Sequence, residues 1–344
     1  MSFERNGKVT LAHGAGGAAM RRLIARSLAV DFPEPSGETA VGLRDMDDGA
    51  ALRIGDQWLV VTTDSHVVHP IVFPGGDIGR LAVSGTVNDL AMMGAVSPLA
   101  LTSAVIMEDG FPLDQLERIQ RSMVAACREA GVTVVTGDTK IMGRGELDGI
   151  VINTTGVGLA WDVVTDRGLR PGDRIVVTGS IGDHGVALLA ERFGLAFDDD
   201  LRSDVAPING LVARALEAVP GAVTAMKDPT RGGLASALHE MAEKSGVGIE
   251  IEERRVPVAT AVRSAAEVLG LDPFHIANEG KAVLGVRSEA ADALVSALRT
   301  HPLGRDAAVV GVCLAGNSGR VILDTGLGRR LVSEPEGEPL PRIC

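Results

Sequence analysis

The sequence has no uninterrupted apolar run of the roughly 18 residues that a membrane-spanning helix needs. Its start, Met1-Ser2-Phe3-Glu4-Arg5, lacks the basic-then-apolar order of a secretory signal peptide. Clusters of lysine and arginine are also missing, and the net charge is −12, from 33 basic and 45 acidic side chains. Because nucleic acids and anionic membranes are bound through clustered basic residues, neither is expected as a partner. We expect a cytoplasmic protein.

Cysteine is scarce, and the three cysteines are isolated from one another. Cys127, Cys313 and Cys344 form no C-x-x-C pair and their number is odd, so neither a disulfide framework nor a structural zinc site is expected. Cys127 and Cys313 lie within apolar stretches and are expected to be small buried side chains. Cys344 differs from them, because it is the last residue and no downstream chain can bury it.

The nucleotide-binding motifs with the most specific spacing are absent. No G-x-x-x-x-G-K-[ST] occurs, and the glycine turn after residues 174–178 has the spacing G-x-x-G-x-x-G, so the dinucleotide fingerprint fails. A nucleotide would therefore have to bind without a P-loop. The glycine-rich residues 11–17 precede a predicted helix, and they either hold an anion or form a simple entry loop.

The composition that is present indicates an ordered α/β protein of two domains. Hydrophobic residues make up 45% of the 344 residues, and 43 glycines point to many tight turns. One hydrophobic core rarely serves a chain of this length. The turn-rich residues 166–173 are the expected boundary, which gives domains at 1–168 and 169–332 and a tail at 333–344.

Apolar periodicity and β-branched runs predict the secondary structure. After Pro112, Asp114 and Glu117 are expected to form a capping box for a helix that ends at Gly131. Residues 132–136 are expected to be a buried strand that terminates in Gly137-Asp138-Thr139-Lys140. Further helices are expected at 208–218, 234–244, 260–269 and 290–300, and further strands at 99–107, 150–158, 174–178, 247–251, 282–286 and 308–314.

Five aspartates lie where a strand or helix gives way to a glycine-containing turn. If they converge, their mutual repulsion calls for a cation, and Mg²⁺ typically shares a few carboxylates with nucleotide phosphates. The alternative is that they are ordinary turn formers. These residues are Asp48, Asp64, Asp89, Asp138 and Asp228.

Three other polar residues lie within or beside apolar segments, where polar side chains are unusual. Asn88 precedes Asp89 inside an apolar helical segment, where the pair serves either a local hydrogen bond or a metal or phosphate site. Lys140 ends a predicted strand, and Glu279 lies between an apolar run and Gly280. Burial would shift the pKa of either side chain toward proton transfer, whereas a salt-bridged or solvated end is the plainer alternative.

The C-terminal segment is predicted to be a mobile arm. Residues 333–340 are rich in proline, glycine and acid, a composition that buries too little apolar surface to offset the entropy of ordering. Taken alone, Cys344 at the end of this arm is either a frayed end or a reactive thiol.

Taken together, the motifs resemble the HypE family of hydrogenase maturation proteins, within the aminoimidazole-ribonucleotide-synthetase-like ATP-binding superfamily. The resemblance spans essentially the whole chain, and the terminal Pro-Arg-Ile-Cys is specific to the family. The motifs are His13-Gly14-Ala15-Gly16-Gly17, Asp47-Asp48-Gly49-Ala50, Thr63-Asp64-Ser65, Pro74-Gly75-Gly76-Asp77-Ile78-Gly79, Ser84-Gly85-Thr86-Val87-Asn88-Asp89-Leu90-Ala91, Gly137-Asp138-Thr139-Lys140, Gly182-Asp183-His184-Gly185, Lys227-Asp228-Pro229-Thr230-Arg231-Gly232-Gly233 and Pro341-Arg342-Ile343-Cys344.

The resemblance implies a two-domain α/β fold whose N-terminal sheets pair into a barrel in a homodimer, with ATP and Mg²⁺ near that interface. It implies that Asp48, Asp64, Asp89 and Asp228 hold the metal. The implied contacts to the nucleotide come from these four and from Gly75, Gly76, Asn88 and Asp138.

The resemblance also implies an activity. In the family, the carbamoyltransferase HypF carbamoylates the terminal cysteine, and ATP-dependent dehydration turns the thiocarbamate into a thiocyanate. The cyano group then passes to iron in a HypC–HypD complex, as the cyanide ligand of [NiFe]-hydrogenase. Matching positions make Cys344 the carrier and place Lys140 and Glu279 beside its thiol.

Two other functions compete with this one. A small-molecule kinase or synthetase of the same superfamily would not need Cys344. A nucleotide-sensing scaffold would use the tail only to dock a partner through its terminal carboxylate.

Overall fold

The computed structural model describes residues 8–14, 16–29, 32–33, 39–195, 201–334 and 342–344. It confirms the expected two-domain α/β architecture, with one large sheet in each half of the chain. Most of the arm predicted to be mobile, residues 335–341, lies outside the described residues. No helix among the described residues is both long enough and apolar enough to cross a membrane.

The described part of the first half of the chain has eight strands and three α-helices. The helices are α1 (Ala18–Leu23), α2 (Ile78–Met92) and α3 (Leu113–Ala130). The strands are β1 (Thr39–Val41), β2 (Ala50–Ile54), β3 (Gln57–His66), β4 (Val72–Phe73), β5 (Gly76–Asp77), β6 (Pro98–Glu108), β7 (Val134–Met142) and β8 (Ile150–Ala160).

Six of these strands form the first sheet, in the order β1-β2-β3-β8-β6-β7. All neighbours are antiparallel except β6 and β7, which run parallel. Helix α2 packs on this sheet and is buried almost all round, as its apolar sequence requires. It begins where the Asp77 carboxylate accepts a hydrogen bond from the Arg80 backbone N–H, and it ends just before Gly94, whose φ is +88°.

Among the residues described in the second half there are seven strands and five α-helices. The helices are α4 (Asp183–Phe193), α5 (Asn209–Ala218), α6 (Gly233–Ser245), α7 (Thr260–Leu269) and α8 (Ala291–Leu298). The strands are β9 (Arg174–Val177), β10 (Val223–Lys227), β11 (Gly248–Glu252), β12 (Val283–Val286), β13 (Ala308–Leu314), β14 (Val321–Asp324) and β15 (Arg329–Leu331).

The second sheet has the order β10-β12-β9-β13-β11-β14-β15 and carries helices on both faces. Alternation along β9 shows this directly, because successive strand residues point to opposite faces. Ile175 and Val177 belong to the buried cluster that includes α6, and Val176 belongs to the cluster that includes α5 and α8. Strands buried on both faces account for the nearly continuous apolar runs of this domain.

A shared core joins the two halves. One buried cluster combines Leu81 of α2 and Ile119 of α3 with Val186 of α4 and Ala265 of α7. Ile343, the penultimate residue, belongs to the same cluster and is 3% exposed. The end of the chain is therefore part of the core that connects the domains.

Three predictions of local structure need correction. Helix α3 begins after Pro112 with no side-chain capping bond, so the capping box of Asp114 and Glu117 does not form. Strand β7 continues through Gly137 to Met142 instead of ending there, and it is exposed along nearly its whole length. Its exposure agrees with its position at the edge of the first sheet. Strands β1, β4, β5, β10 and β15 were not predicted.

Candidate active site

A cavity of about 580 Å³ lies between the two halves of the chain. Residues from both halves line it, together with the end of the tail. The polar and charged residues in the lining are Arg21, Asp47, Asp48, Thr62, Thr63, Asp64, Asp89, Lys227, Asp228, Thr230, Arg231, Ser236, Glu240, Glu279 and Cys344.

Four predicted aspartates reach this cavity from four different elements. Asp48 precedes β2, Asp64 lies near the end of β3, Asp89 is on α2 and Asp228 follows β10. The Thr62 hydroxyl donates to Asp89 Oδ2 at 2.9 Å, which fixes the carboxylate of α2 against β3. Residues 180 positions apart in sequence thus converge on one space, which excludes the explanation that they are only turn formers.

The convergence shows in the pKa values of the carboxyl groups. Burial, then the charge of Asp48, raises the pKa of Asp228 to about 8. Burial, then Asp48 and Asp166, raises the pKa of Asp47 to about 7. Burial and repulsion by Asp228, Asp64 and Asp48 raise the pKa of Asp89 well above its ordinary value. Burial is the larger cause of each shift, and repulsion by neighbouring carboxylates adds to it.

Lys227 supplies part of the compensation. Its ammonium group lies 2.7 Å from Asp48 Oδ1 and 3.3 Å from Glu240 Oε2. Asp166 is 3.8 Å away and is shared with Lys244, at 2.6 Å. The network is buried, so each of these charges depends on the others.

Glu279 is the most buried carboxyl group of the cavity, with 3% of its surface exposed. Burial, then repulsion by Asp228 and Asp64, raises its pKa well above the ordinary value. Its Oε1 atom has no hydrogen-bond partner. Its backbone, in contrast, is held at both ends, because its N–H donates to Asp204 and its carbonyl accepts from Asn88. A rigid backbone therefore presents an unsatisfied carboxyl group to the cavity.

The last three residues bring Cys344 into the cavity. The backbone N–H of His69 donates to the Arg342 carbonyl at 3.0 Å, and that of Val67 donates to the Cys344 carbonyl at 3.2 Å. The chain end therefore runs alongside residues 67–69, just beyond β3. In this structure residues 342–344 lie inward, and Cys344 contributes to the same lining as Asp64 and Glu279.

The fit of a metal ion can be judged from the carboxyl groups themselves. Within the described ranges, no three His, Cys, Asp or Glu side chains are arranged as a ready-made metal site. Buried Asp48 Oδ2 and Glu279 Oε1 nonetheless lack partners, and burial together with repulsion between the carboxylates raises the pKa of Asp228 and Glu279. These features fit a hard cation whose remaining ligands come from phosphate and water.

Comparison with known proteins agrees with this geometry. The family model for the N-terminal domain of AIR synthase related proteins matches residues 46–160, and the model for their C-terminal domain matches residues 170–324. A carbamoyl dehydratase HypE of Azotobacter vinelandii is 48% identical over 99% of this chain and 98% of its own length.

The chain belongs to the HypE family.

Solved HypE structures share the fold. A HypE–HypF complex matches with a TM-score of 0.83 at 41% identity, covering 93% of this chain and all of the matched one. A HypE in complex with ATP matches with a TM-score of 0.81 at 42% identity, covering 98% of this chain. The coverage on both sides shows that the likeness extends over whole chains and not over one domain.

Two residues expected at the HypE site lie elsewhere in this chain. Asp138 and Lys140 are on the edge strand β7, with side chains 60% and 65% exposed, and they pair with each other at 3.0 Å. Neither lines the cavity. The sequence suggested a turn at the end of a buried strand, but the strand continues and is exposed. Lys140 therefore does not reach Cys344 of its own chain in this arrangement.

Three residues expected to contact the nucleotide also make close contacts to protein. A Cβ on Gly75 would lie 2.6 Å from the Ser203 carbonyl oxygen, and one on Gly76 would lie 2.6 Å from Val205. These glycines allow the β4–β5 hairpin to approach residues 203–205. The Asn88 side chain donates to the carbonyls of Ala206 and Glu279 and accepts from the Ile208 N–H, so its polar atoms are engaged.

Several cavity residues were not singled out from the sequence. Lys227 and Arg231 flank Asp228 in the same motif, and Asp47 precedes Asp48. Their positions inside the aspartate motifs could have identified these residues from the sequence. Gly16 shows what the glycine-rich segment does, since a Cβ there would lie 2.5 Å from Arg231 Cβ. The segment is therefore packed directly against the cavity wall.

His66 and His69 have the spacing H-x-x-H, which can indicate a metal site, but the two side chains lie in different surroundings. His66 is buried, with Nε2 3.3 Å from Asp64 Oδ2, whereas the His69 side chain is exposed. Burial lowers the pKa of His66, so it is a neutral neighbour of Asp64. Cys127 and Cys313 are buried, as predicted.

Proposed function

We propose that this chain is an ATP-dependent carbamoyl dehydratase that acts on its own C-terminal thiol and serves hydrogenase maturation. Cys344 carries a carbamoyl group, and dehydration converts this thiocarbamate to a thiocyanate. The observation that carries the proposal is that Cys344 lies in the same cavity as Glu279 and the carboxylates of Asp48, Asp64, Asp89 and Asp228. A relative solved with ATP supports the use of ATP by this chain.

The charged side chains of the cavity indicate where the phosphates of ATP would bind. Mg²⁺ would be held by Asp48, Asp64, Asp89 and Asp228, where it offsets the negative charge of the ATP phosphates. Arg21, Lys227 and Arg231 add positive charge to the same wall. Phosphoryl transfer depends mainly on positioning and charge stabilisation, which this arrangement of fixed side chains supplies.

The reaction removes the elements of water from the carbamoyl group. The carbonyl oxygen attacks the γ-phosphorus of ATP, and ADP leaves. The nitrogen loses one proton as the oxygen is phosphorylated and the second as the C–O bond breaks, when phosphate departs with the bonding electrons. The products are thiocyanate, ADP and phosphate, so atoms and charge balance.

Glu279 is proposed as the base that takes a proton from the carbamoyl nitrogen. Its buried carboxylate binds a proton strongly, as the raised pKa requires. Burial is the main cause of this raised pKa, and repulsion by Asp228 and Asp64 adds to it. Positive charge arriving beside Asp64 and Asp228 would relieve the repulsion and lower the pKa of Glu279 when substrate is in place.

A homodimer is proposed on the evidence of the first sheet. The edge strand β7 has no neighbour on its outer side in the described chain, and it exposes Val134, Val135 and Ile141. An exposed apolar edge favours pairing with another strand. Two first sheets that join to form a barrel would cover this surface, and Lys140 would then lie at the interface.

Partners must reach the thiol when the tail is outward. A relative solved as a HypE–HypF complex supports a HypF-type carbamoyltransferase as the donor of the carbamoyl group. A HypC–HypD complex that carries iron is proposed as the acceptor of the cyano group. Both exchanges need Cys344 to leave the cavity, so the tail has two positions.

Mass spectrometry of the C-terminal peptide tests the proposal. After incubation with carbamoyl phosphate, ATP, Mg²⁺ and the partner transferase, we expect a cyano adduct on Cys344. Omission of ATP should leave the carbamoyl adduct. Full ATP turnover on a free metabolite by Cys344→Ala would instead identify a small-molecule kinase or synthetase, and binding of ATP without any adduct would favour a scaffold.

A further inference from the structure

The inward position of the tail depends on a small set of contacts to Arg342 and Ile343. Arg192 of α4 donates to the carbonyl oxygens of His69 and Arg342. The Arg342 guanidinium in turn donates to the Val67 carbonyl at 3.1 Å and pairs with Asp148. These contacts hold backbone and side chain at the protein surface. One further contact is buried.

That buried contact is made by His184, which is fully buried on α4. Its Nε2 atom lies 2.7 Å from the Ile343 carbonyl oxygen, and its Nδ1 atom lies 2.7 Å from Ser203 Oγ. A carbonyl oxygen only accepts, so Nε2 carries the proton. Burial lowers the pKa of His184 and keeps the ring neutral, so Nδ1 accepts from the Ser203 hydroxyl.

The surroundings of His184 leave it one orientation. Phe73 meets the ring edge-on, with centroids 5.4 Å apart and planes at 87°. Ser203 Oγ also accepts from the Val205 N–H at 3.1 Å, which directs its hydroxyl hydrogen toward His184. The chain of bonds therefore runs from Val205 through Ser203 and His184 to Ile343. Within it, the buried His184 Nε2 atom has its partner, the Ile343 carbonyl, when the end of the chain is inward.

We propose that His184, oriented by Ser203, is the positioning residue that holds the Ile343 peptide and so directs the Cys344 thiol into the cavity. This inference rests on the proposed function, in which the thiol carries the substrate. The His184 N–H acts one residue before the thiol, so losing this bond loosens the last peptide, although the Val67 N–H still donates to the Cys344 carbonyl. The carboxylates of the cavity are left unchanged.

Two other histidines bond to backbone carbonyl groups near the start of the tail and allow a comparison with His184. His239 Nε2 lies 2.9 Å from the Val332 carbonyl oxygen, and His275 Nε2 lies 3.0 Å from that of Ser333. They make the same kind of bond to the base of the tail. His275 therefore provides a control of the same bond type at a more exposed position, since its loss removes a histidine-to-carbonyl bond about ten residues from the thiol.

Thiol labelling of the unmodified full-length protein tests the proposal without any carbamoyl chemistry. The rate of Cys344 alkylation by a maleimide is measured, with Cys344→Ser defining the background from Cys127 and Cys313. We expect His184→Phe, which keeps an aromatic ring but loses the donor, to label about tenfold faster than wild type, the shift expected from one lost buried hydrogen bond. His184→Gln, whose side-chain amide can donate to the same carbonyl, should label at close to the wild-type rate, and so should His275→Phe.

A wild-type rate for His184→Phe would overturn the proposal. Equal acceleration by His184→Gln, or by His275→Phe, would also overturn it, because the tail would then be loosened by general disruption. If His184→Phe does not fold, Ser203→Ala tests the same bond chain, and it must label faster than wild type. Absence of a cyano adduct with normal His184-dependent protection would refute the proposed function and leave this inference intact.

Discussion

Lys227 Nζ lies 2.7 Å from Asp48 Oδ1, and this contact joins the second domain to the first across the cavity. Burial alone would lower the pKa of Lys227, but Asp48, Glu240 and Asp166 outweigh it and raise the pKa well above its ordinary value. The ammonium group is therefore charged, and it is the positive charge nearest to the predicted metal ligand Asp48.

Replacing Lys227 by methionine should destabilise the fold strongly. The methionine has a similar length but leaves Asp48, Glu240 and Asp166 without their shared cation. Removing one partner of a buried ion pair costs about 3–5 kcal/mol. Urea unfolding of Lys227→Met against wild type, without divalent cations, measures the loss.

Lys140→Met is the matched control, because it makes the same change in an exposed pair. Lys140 and Asp138 are 3.0 Å apart but mostly in solvent, and such pairs add little to stability. Equal losses from the two substitutions would show that the Lys227 network does not stabilise the domain contact.

The pH dependence of stability should reveal the crowded carboxyl groups. The pKa of Asp228 is about 8 in the fold and lies near 4 in the unfolded chain, so the folded state binds more protons between these values. Its contribution to stability is thus present below about pH 4 and is lost as the pH rises toward 8. We expect stability to fall from pH 5 to 9, and Asp228→Asn to reduce that slope by up to about 1.4 kcal/mol per pH unit.

Asp138→Asn serves as the control for this experiment. The hydrogen bond from Lys140 lowers the pKa of Asp138, so this carboxylate stays ionised in folded and unfolded chains throughout the range. Its replacement should leave the slope unchanged. An unchanged slope for Asp228→Asn would mean that the aspartates do not repel one another in the folded protein.

Asn88 should prove to be a support for Glu279 and not a nucleotide ligand. Asn88→Leu removes bonds to Ala206, Ile208 and Glu279, and each buried group left without a partner costs about 1–3 kcal/mol. We expect loss of stability together with slower formation of the thiocyanate, because the backbone of Glu279 is freed. Chemical unfolding and the rate of adduct conversion on Cys344 are the two measurements.

Asn209→Leu separates the two effects. Asn209 also donates to two carbonyl groups, those of Val96 and Ala130, but it does not contact Glu279. This variant should be destabilised while its conversion rate per folded molecule is kept. If both variants slow conversion equally, Asn88 has no particular connection to the base.

Sequence reasoning located the elements of this fold well and their surroundings less well. Strand β9 and helix α4 could be predicted because their apolar runs and glycine boundaries are local signals. The exposure of β7 could not be predicted, because an edge strand carries the same β-branched residues as a central strand. Likewise, Asp64 and Asp228 were found from their positions at element ends, and Asn88 from its place in an apolar helix. The backbone partners of the Asn88 side chain could not be predicted, because they lie far away in the sequence.

The position of Cys344 in the fold could not be predicted from the sequence either. The terminal cysteine was recognisable from its motif, but its inward position depends on His184 and Arg192, which lie about 150 residues earlier in the chain. No local pattern encodes a contact between a buried histidine and a carbonyl group. Such contacts become visible only when the fold brings the two segments together.

Glu279→Gln should stop the reaction at the carbamoyl stage. The amide is nearly isosteric and cannot accept the proton, and loss of a general base typically slows a reaction by about 10²–10⁴. Mass spectrometry should find the carbamoyl adduct accumulating on Cys344. Glu243→Gln, an exposed glutamate outside the cavity lining, should convert normally. Normal conversion by Glu279→Gln would remove Glu279 from the role of base.

If Lys140 takes part in the reaction, we expect it to act on the partner chain. Its side chain is 65% exposed on the edge strand β7, away from the cavity that holds Cys344 of the same chain. Lys140→Ala and Cys344→Ser should therefore each be inactive alone. Subunits of the two variants, exchanged into mixed dimers, should regain thiocyanate formation, because the Cys344→Ser chain supplies Lys140 to the intact thiol of the other chain. Glu279→Gln mixed with Cys344→Ser is the control, and it should stay inactive because Glu279 lines the cavity of its own Cys344. Recovery in the control but not in the Lys140 mixture would reverse these assignments, and full activity of Lys140→Ala alone would exclude Lys140 from the chemistry.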